Sequence, residues 1–196
     1  FSLSLMSFET GESKPSTHFI YNPRNCSTVN MELKNLKASF IFSNDLINKE
    51  NGSIKKEIFK IDNATFTIYK HTPTLLNVTG IKSLDELEKC RKMLEKKYNQ
   101  SALKVRIDNT FFSKKDYKNI DLDKIYTHMK KYRGYNVNFN RELFHGMYMI
   151  PKPKTYPTIL LFRSGSYTLM GGKSLEAIFE SERFVKSLID EFEKTV

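Results

Sequence analysis

The sequence predicts an α+β protein built on a duplicated antiparallel sheet, with helices on one face of that sheet. Two short runs within residues 158–170 are rich in β-branched and aromatic side chains and flank the dipeptide Ser164-Gly165, which is typical of a β-hairpin. Residues 83–98 and 174–194 instead carry apolar side chains at helical spacing. Strand and helix patterns follow one another in the same order in both halves of the chain, which indicates a duplication.

A helix is predicted near the start of the first half. Asn30 is a suitable N-cap, and Leu33, Leu36 and Phe40 follow it at a spacing that places them on one helical face. This helix is expected to end near Asn44. The other elements predicted for the first half are strands over residues 17–21, 54–61, 65–70 and 74–79, followed by the helix over residues 83–98.

The second half is expected to repeat this order. Its elements are a strand over residues 105–112, a helix over 120–132, a loop at Gly134, the strand-rich stretch from Glu142 to Met170, and the helix over 174–194.

Two local matches support the duplication. N-M-E-L at residues 30–33 is similar to N-I-D-L at 119–122, and G-I-K-S-L-D from Gly80 is similar to G-G-K-S-L-E from Gly171, at nearly the same separation. We therefore expect a single sheet with four helices on one face. The expected division is a loose leader over residues 1–15, a first repeat over 16–100 and a second repeat over 101–196.

The strand over residues 158–163 is apolar on both of its faces. Thr158, Leu160 and Phe162 alternate with Ile159 and Leu161, whereas an ordinary half-buried strand has one polar face. Either protein covers both faces of this strand, or its second face contacts a ligand.

The second half resembles a known family. E-L-F-H-G at residues 142–146, I-L-L-F-R-S-G at 159–165 and G-G-K at 171–173 precede a long amphipathic helix, and together they resemble the second repeat of the TATA-box-binding protein family. The resemblance is specific over residues 105–192 and much weaker before them. It implies a saddle-shaped sheet whose concave face binds the minor groove of A·T-rich duplex DNA and bends it, with the helices on the convex face.

The resemblance implies the DNA-binding residues of the second half. Phe144 and Phe162 match the family's wedge phenylalanines, which enter between base steps, and Leu160 shares the face of Phe162. Asn109 matches the strand asparagine, whose amide can donate to the adenine N3 and thymine O2 acceptors of the minor groove. Met170 replaces the threonine that the family has before the glycine.

The first half departs from the family pattern. Ile54 and Tyr69 stand at its two wedge positions, and Asn22, just before Pro23, would be its strand asparagine. Thr79 keeps the threonine that precedes glycine. The second half therefore has side chains suited to kinking DNA, whereas the first half does not. Isoleucine is a smaller side chain than phenylalanine to insert between base pairs, and a tyrosine hydroxyl needs a polar partner.

The charge of the chain favours a polyanionic partner. Its 196 residues have a formal net charge of +10, and lysine or arginine side chains that neutralise phosphates release condensed counterions. The phosphate contacts expected from the sequence are Lys55, Lys56, Lys70, Lys152 and Arg163, with Lys60, Lys114, Lys115 and Lys154 as further candidates.

Protein partners also follow from the resemblance. In the family, the stirrup loop before E-L-F binds the B-type general transcription initiation factor, and Arg141, Glu142 and Leu143 occupy it here. The helix side would contact the RNA polymerase assembly. The expected location is the nucleus, or the cytoplasm if the chain comes from a virus that replicates there.

Other classes find no support in the sequence. The cysteines Cys26 and Cys90 have no zinc-site spacing and form no disulfide framework, and the four histidines have no metal-ligand spacing. We find no catalytic motif, expect no cofactor, and see no apolar run long enough for a membrane span. The alternative from another class is a saddle-fold interaction scaffold of a transcription complex with weak or no DNA bending.

Overall fold

The fold is one antiparallel sheet with helices packed on a single face. The computed structural model describes residues 31–47, 55–116, 118–152 and 154–193. In these ranges the sheet has nine strands, which are β1 (Glu32–Ile41), β2 (Lys56–Ile61), β3 (Ala64–Tyr69), β4 (Thr72–Ile81), β5 (Lys104–Lys114), β6 (Tyr135–Asn138), β7 (Gly146–Pro151), β8 (Thr158–Phe162) and β9 (Tyr167–Met170). The helices in the described residues are α1 (Leu84–Tyr98), α2 (Leu122–Met129) and α3 (Leu175–Phe192).

The two halves of the chain meet at the centre of the sheet. The strand order is β2-β3-β4-β1-β5-β9-β8-β7-β6, so β1 and β5 are neighbours, and each is flanked by the hairpins of its own half. The pairing of β1 with β5 is symmetric about the opposed residues Leu36 and Thr110. The register shifts once beside Lys34 and once beside Asp108, at matching distances from that pair. The pair Leu33–Phe112 is therefore equivalent to the pair Ile107–Ala38. In the same way, the pair Asn35–Phe111 is equivalent to the pair Asn109–Lys37.

Each half has a hydrophobic core between the sheet and its helices. In the first half, Phe40 and Phe66 on the sheet are fully buried in one cluster with Leu94 of α1. In the second half, Ile159 on the sheet is buried with Ile125 of α2 and Val185 of α3 in a second cluster. Fully burying an aliphatic or phenyl side chain contributes roughly 1.5–3 kcal/mol, so these clusters hold the described helices on one face of the sheet.

The G-x-K-S segments have the same local structure in both halves. Gly80 lies at the end of β4 and Gly171 directly follows β9, with φ of +90° and +83°, a region that favours glycine. Ser83 and Ser174 then cap α1 and α3 with nearly equal dihedral angles, and their hydroxyl oxygens accept from the N–H groups of Glu86 and Ala177.

The prediction of a helix that begins at Asn30 is wrong. Residues 32–41 form the strand β1, in which Leu36, Ala38 and Phe40 are buried with the period of two that a strand requires. Leu36 and Phe40 also fit a helical spacing, but β1 is stabilised by pairing with two neighbouring strands, which no local pattern reveals. The match of Leu33 with Leu122 fails for the same reason, since Leu33 lies in a strand and Leu122 in a helix. The described residues therefore contain three helices instead of the four expected.

Smaller differences affect the ends of elements. The helix expected to end at Tyr132 ends at Met129, and β6 was not anticipated. In the second half α2 and β6 lie between β5 and β7, whereas the first half connects β1 to β2 by a much shorter stretch. The strand predicted over residues 17–21 and the start of the one predicted over 54–61 lie outside the described residues.

Candidate nucleic-acid interface

The surface of the sheet opposite the helices, which we call the open face, carries most of the predicted site. Side chains alternate along each strand, and in β8 the buried Ile159 and Leu161 point to the helices. Leu160 and Phe162 therefore lie on the open face, where both are half-buried. Tyr148 of β7 is opposite Leu160 and joins them. This arrangement resolves the question raised by the apolar strand: its second face is a partly exposed apolar surface.

Phe144 and Phe162 form an aromatic pair at one end of this surface. Their ring centroids are 6.0 Å apart in an edge-on arrangement, and Phe144 also stacks at 5.5 Å on Tyr148. Phe144 is 40% exposed. Gly146 is opposite Phe162 in the sheet, and a Cβ atom there would lie 2.7 Å from the Phe144 ring and 3.0 Å from the Phe162 ring. A glycine is required at this position because any larger residue would displace the two rings.

Two asparagines lie at equivalent places in the centre of the open face. Asn109 is opposite Lys37, and Asn35 is opposite Phe111, so the symmetric pairing makes Asn35 the counterpart of Asn109. The Gly80 N–H donates to Asn35 Oδ1 at 3.0 Å. Since a backbone N–H can only donate, the amide oxygen of Asn35 faces it, and the amide nitrogen is the group directed elsewhere.

Sequence reasoning missed Asn35 and chose Asn22, which lies outside the described residues. The sequence predicts a helix over residues that form β1, and this prediction hides the asparagine of the strand. A usable signal was present: the spacing of Asn35 and Ser39 is the same as that of Asn109 and Ser113.

The wedge positions of the first half differ from those of the second. Tyr69 is opposite Lys56 just as Phe162 is opposite Gly146, so Tyr69 is the counterpart of Phe162. Tyr69 is 38% exposed. Its neighbour across the ladder is thus a lysine, where the second half has the glycine that makes room for two rings. Ile54 lies outside the described residues.

The residues before the two helix-capping segments also lie on the open face. Thr79 is opposite Thr65, and Met170 is opposite Thr158, so Thr79 and Met170 are counterparts. Both are half-buried. The methionine extends the apolar surface of the second half, whereas the threonine gives the first half a smaller, more polar side chain at the same place.

A polar cluster lies between the centre and the first half. Arg106 Nε donates to Asp108 Oδ1 at 2.7 Å, and the fully buried Ser39 hydroxyl is hydrogen-bonded to Asp108 and lies 3.1 Å from Asn77 Oδ1. The arginine neutralises the carboxylate, which would otherwise repel a polyanion on this face. Glu32 and Lys34 occupy the positions that are symmetry-related to Arg106 and Asp108, so the order of the two charges is reversed. They form an ion pair at 2.5 Å.

The predicted phosphate contacts fall into separate groups. Lys55, Lys56 and Lys70 lie together at one end of the β2-β3 hairpin, where the Lys70 N–H donates to the Lys55 carbonyl at 3.1 Å. Arg163 follows Phe162 as Lys70 follows Tyr69, and its guanidinium is 3.7 Å from the Asp123 carboxylate. Lys152 lies beyond the other end of β7, apart from Arg163.

The second half matches a known family of transcription factors. The model for "Transcription factor TFIID (or TATA-binding protein, TBP)" matches residues 104–192, from β5 through α3. Over these residues the chain is similar to the TATA-binding protein family. The TBP of Methanococcus jannaschii has a similar structure, with a TM-score of 0.59 and 20% sequence identity over 83% of this chain and 99% of the archaeal chain. No curated protein matches the chain.

The family resemblance and the fold class predicted from the sequence are both confirmed. The chain has the TBP-like saddle fold, a curved antiparallel sheet with its helices on one side. The family match begins at β5, and the first half is assigned to this fold by its strand order and pairing.

The stirrup of this TBP-like saddle is a compact turn next to Phe144. The side-chain oxygen of Asn140 accepts from the Glu142 N–H at 3.0 Å, and its backbone carbonyl accepts from the Phe144 N–H at 2.9 Å. Arg141 forms an ion pair with Asp123 of α2, which ties the turn to the helix side. Leu143 is 82% exposed at the tip. The three predicted partner-binding residues therefore lie together beside the aromatic pair.

The described residues contain no group of three or more His, Cys, Asp or Glu side chains that could hold a metal ion. Cys90 is a buried free thiol, and burial raises its pKa to about 11. A protonated thiol is a poor nucleophile, so Cys90 has a packing role. None of the three helices in this part of the TBP-like saddle is both long and apolar enough to cross a membrane.

Proposed function

We propose that this chain is a transcription initiation factor that binds the minor groove of A·T-rich promoter DNA through the open face and bends it. The observation that carries the proposal is the partly exposed ring pair of Phe144 and Phe162 beside Gly146. Apolar side chains that enter between base steps unstack them and kink the duplex toward the major groove.

The centre of the open face suits the chemistry of the minor groove. Adenine N3 and thymine O2 are acceptors, and the amide groups of Asn35 and Asn109 are donors placed symmetrically about the centre of the sheet. A guanine adds an exocyclic amine that donates, and this amine would face the asparagine donors unfavourably. Leu160 and Met170 supply apolar contact in the second half, and Thr79 supplies a smaller one in the first.

Cationic side chains around the open face would bind the sugar-phosphate backbone of the DNA. Lys55, Lys56, Lys70, Lys152 and Arg163 are each proposed to neutralise a phosphate. The net charge of +10 would also speed the encounter with DNA.

The proposal extends to the organisation of the chain and to its partners. We infer that residues 16–100 and 101–196 are two copies of one saddle repeat, preceded by a loose leader over residues 1–15. The stirrup residues Arg141, Glu142 and Leu143 are proposed to bind a B-type initiation factor, because an exposed leucine next to charged side chains suits a protein interface. The polymerase assembly would meet the helix side. The chain would act in the nucleus, or in the cytoplasm for a virus that replicates there, and without catalysis of its own.

A second candidate is a saddle-fold scaffold with weak or no DNA bending. Lys56 stands opposite Tyr69 where the second half has glycine opposite phenylalanine, and this difference favours it. A scaffold would need Leu143 and the helix side, and it would not need the exposed rings on the open face.

A binding titration distinguishes the two candidates. Fluorescently labelled A·T-rich and G·C-rich duplexes of equal length are titrated with the protein at several salt concentrations between about 50 and 200 mM. If five cations each neutralise one phosphate, the slope of log K against log salt should be about −4.5, and the A·T-rich duplex should bind more tightly. A flat salt response with no preference between duplexes would support the scaffold and contradict DNA binding.

A further inference from the structure

The open face of the first half carries lysines where that of the second half carries apolar residues or glycine. The sheet register defines the counterparts. Lys56 is opposite Tyr69 and Gly146 is opposite Phe162, so Lys56 is the counterpart of Gly146. Lys37 is opposite Asn109 and Phe111 is opposite Asn35, so Lys37 is the counterpart of Phe111. Lys60 follows Lys56 by the same four positions that separate Ile150 from Gly146. Lys37, Lys56 and Lys60 of the first half thus stand where the second half has Phe111, Gly146 and Ile150, respectively.

All three lysines are exposed and available to a ligand. Within the described ranges, no carboxylate lies at ion-pair distance from Lys37, Lys56 or Lys60, although other lysines on the protein do form ion pairs. Lys56 and Lys60 are about 13 Å apart along β2, and Lys37 is three strands away, about 14 Å across the sheet. The three ammonium groups therefore form a broad cationic surface on the sheet itself, and we call it the lysine floor.

The side chains between these lysines are unsuited to a wedge of the kind formed by Phe144 and Phe162. Thr65 and Thr67 of β3 lie between the two lysines of β2 and Lys37 of β1, at the places where the second half has Thr158 and Leu160. Ile58 lies between Lys56 and Lys60 and is 50% exposed. Inserting an isoleucine here would bring two flanking ammonium groups against the base stack, and charges taken out of water without partners are costly.

We propose that the lysine floor binds the sugar-phosphate backbone of duplex DNA, while the second half inserts its phenylalanines. This inference rests on the proposed function. The two halves of the saddle then bind DNA by different chemistry, by phosphate neutralisation in the first half and by apolar insertion in the second. As a consequence, the duplex has one protein-induced kink, and the protein binds an asymmetric site in one orientation.

The test uses two triple variants with the same change in net charge. One carries Lys37→Gln, Lys56→Gln and Lys60→Gln in the full chain. The matched control changes three exposed lysines of the helix side, as Lys89→Gln, Lys96→Gln and Lys131→Gln. Each variant is titrated with the A·T-rich duplex at several salt concentrations, and DNA bending in the saturated complex is measured by energy transfer between the duplex ends. Thermal melts check that both variants remain folded.

Each phosphate contact removed should make the slope of log K against log salt less negative by about 0.9. The slope of the lysine-floor variant should therefore be less negative than that of wild type by about 2.7. The control should keep nearly the wild-type slope, because a distant charge makes no phosphate contact. Both saturated complexes should keep the wild-type bend. As a second measurement, a duplex with neutral methylphosphonates across the half of the site that faces the lysine floor should reduce the wild-type slope by more than it reduces that of the lysine-floor variant, which keeps Lys55 and Lys70.

Equal salt slopes in the two triple variants would overturn the inference, as would loss of the bend in the saturated lysine-floor complex. These failures leave the proposed function intact if the wild-type protein still binds and bends A·T-rich DNA. If the wild-type protein does not bind duplex DNA, the proposed function fails and the inference fails with it.

Discussion

At the scale of residues, Gly146 controls the geometry of the aromatic pair. Its place in the sheet is opposite Phe162, and the rings of Phe144 and Phe162 occupy the space that a side chain would need. The atoms nearest to an added methyl group would be ring carbons and the Cδ1 of Leu160, which can move, and no backbone atom is among them. A substitution here should therefore displace the rings without unfolding the sheet.

We accordingly predict that Gly146→Ala changes the unfolding free energy by no more than about 1 kcal/mol, because the lost unfolded-state entropy offsets the displaced contacts. Its DNA bend should fall well below that of wild type, since the rings no longer stand in the inserting position. Gly134→Ala is the control, because no atom lies within 4 Å of its added methyl group. Urea unfolding and end-to-end energy transfer measure the two effects. A full bend with Gly146→Ala would show that this ring geometry is not needed.

The residues predicted from the intact motif lie close together in the structure, and their role in DNA binding stays a prediction. Phe144, Leu160 and Phe162 were predicted from the motif and lie together on the open face. Tyr69 was predicted as a wedge position, and the register makes it the counterpart of Phe162. Asn35 was not found, because its symmetry with Asn109 depends on strand pairing, which is a property of the folded sheet.

At the scale of elements, the β4-α1 and β9-α3 connections provide a matched pair. Gly80 and Gly171 both have positive φ, yet their surroundings differ. A Cβ atom on Gly80 would lie 2.3 Å from the carbonyl oxygen of Asn63, whereas one on Gly171 would have no neighbour within 4 Å. Glycine is required by backbone conformation at both positions and by close packing only at the first.

Gly171→Ala should therefore reduce the unfolding free energy by about 1–2 kcal/mol, the cost of a left-handed conformation for an L-residue. Gly80→Ala should cost this amount and a further 1–3 kcal/mol or so, because a backbone atom must move to admit the methyl group. Urea denaturation of the two variants measures the difference. Equal losses would mean that the approach of Asn63 to Gly80 is not tight.

Elements with strong local patterns were predicted well, whereas those defined by long-range pairing were not. The helix over residues 83–98 and the hairpin within residues 158–170 agree with α1, β8 and β9 within a few residues. The strand β1 was predicted as a helix, because its pattern satisfied both periods and its partners are distant in the sequence. Its pairing with β5 at the centre decides the structure.

At the scale of the whole molecule, the near-symmetric sheet carries an asymmetric surface. Both halves contribute a central asparagine and a capped helix behind the sheet. The second half adds the apolar surface and the aromatic pair, and the first half adds the lysine floor. The proposed consequence is a DNA complex with one kink, located at the second half.

Bending of an A·T-rich duplex by matched single variants tests this claim most directly. Phe162 and Tyr69 are counterparts in the sheet, and we compare Phe162→Ala with Tyr69→Ala by energy transfer between labelled duplex ends, at saturating protein and with thermal melts as the control for folding. The account predicts that wild type and Tyr69→Ala bend the duplex alike, and that Phe162→Ala stays folded and loses most of the bend. A wild-type complex with straight DNA, or an equal loss of the bend in the two variants, would contradict it.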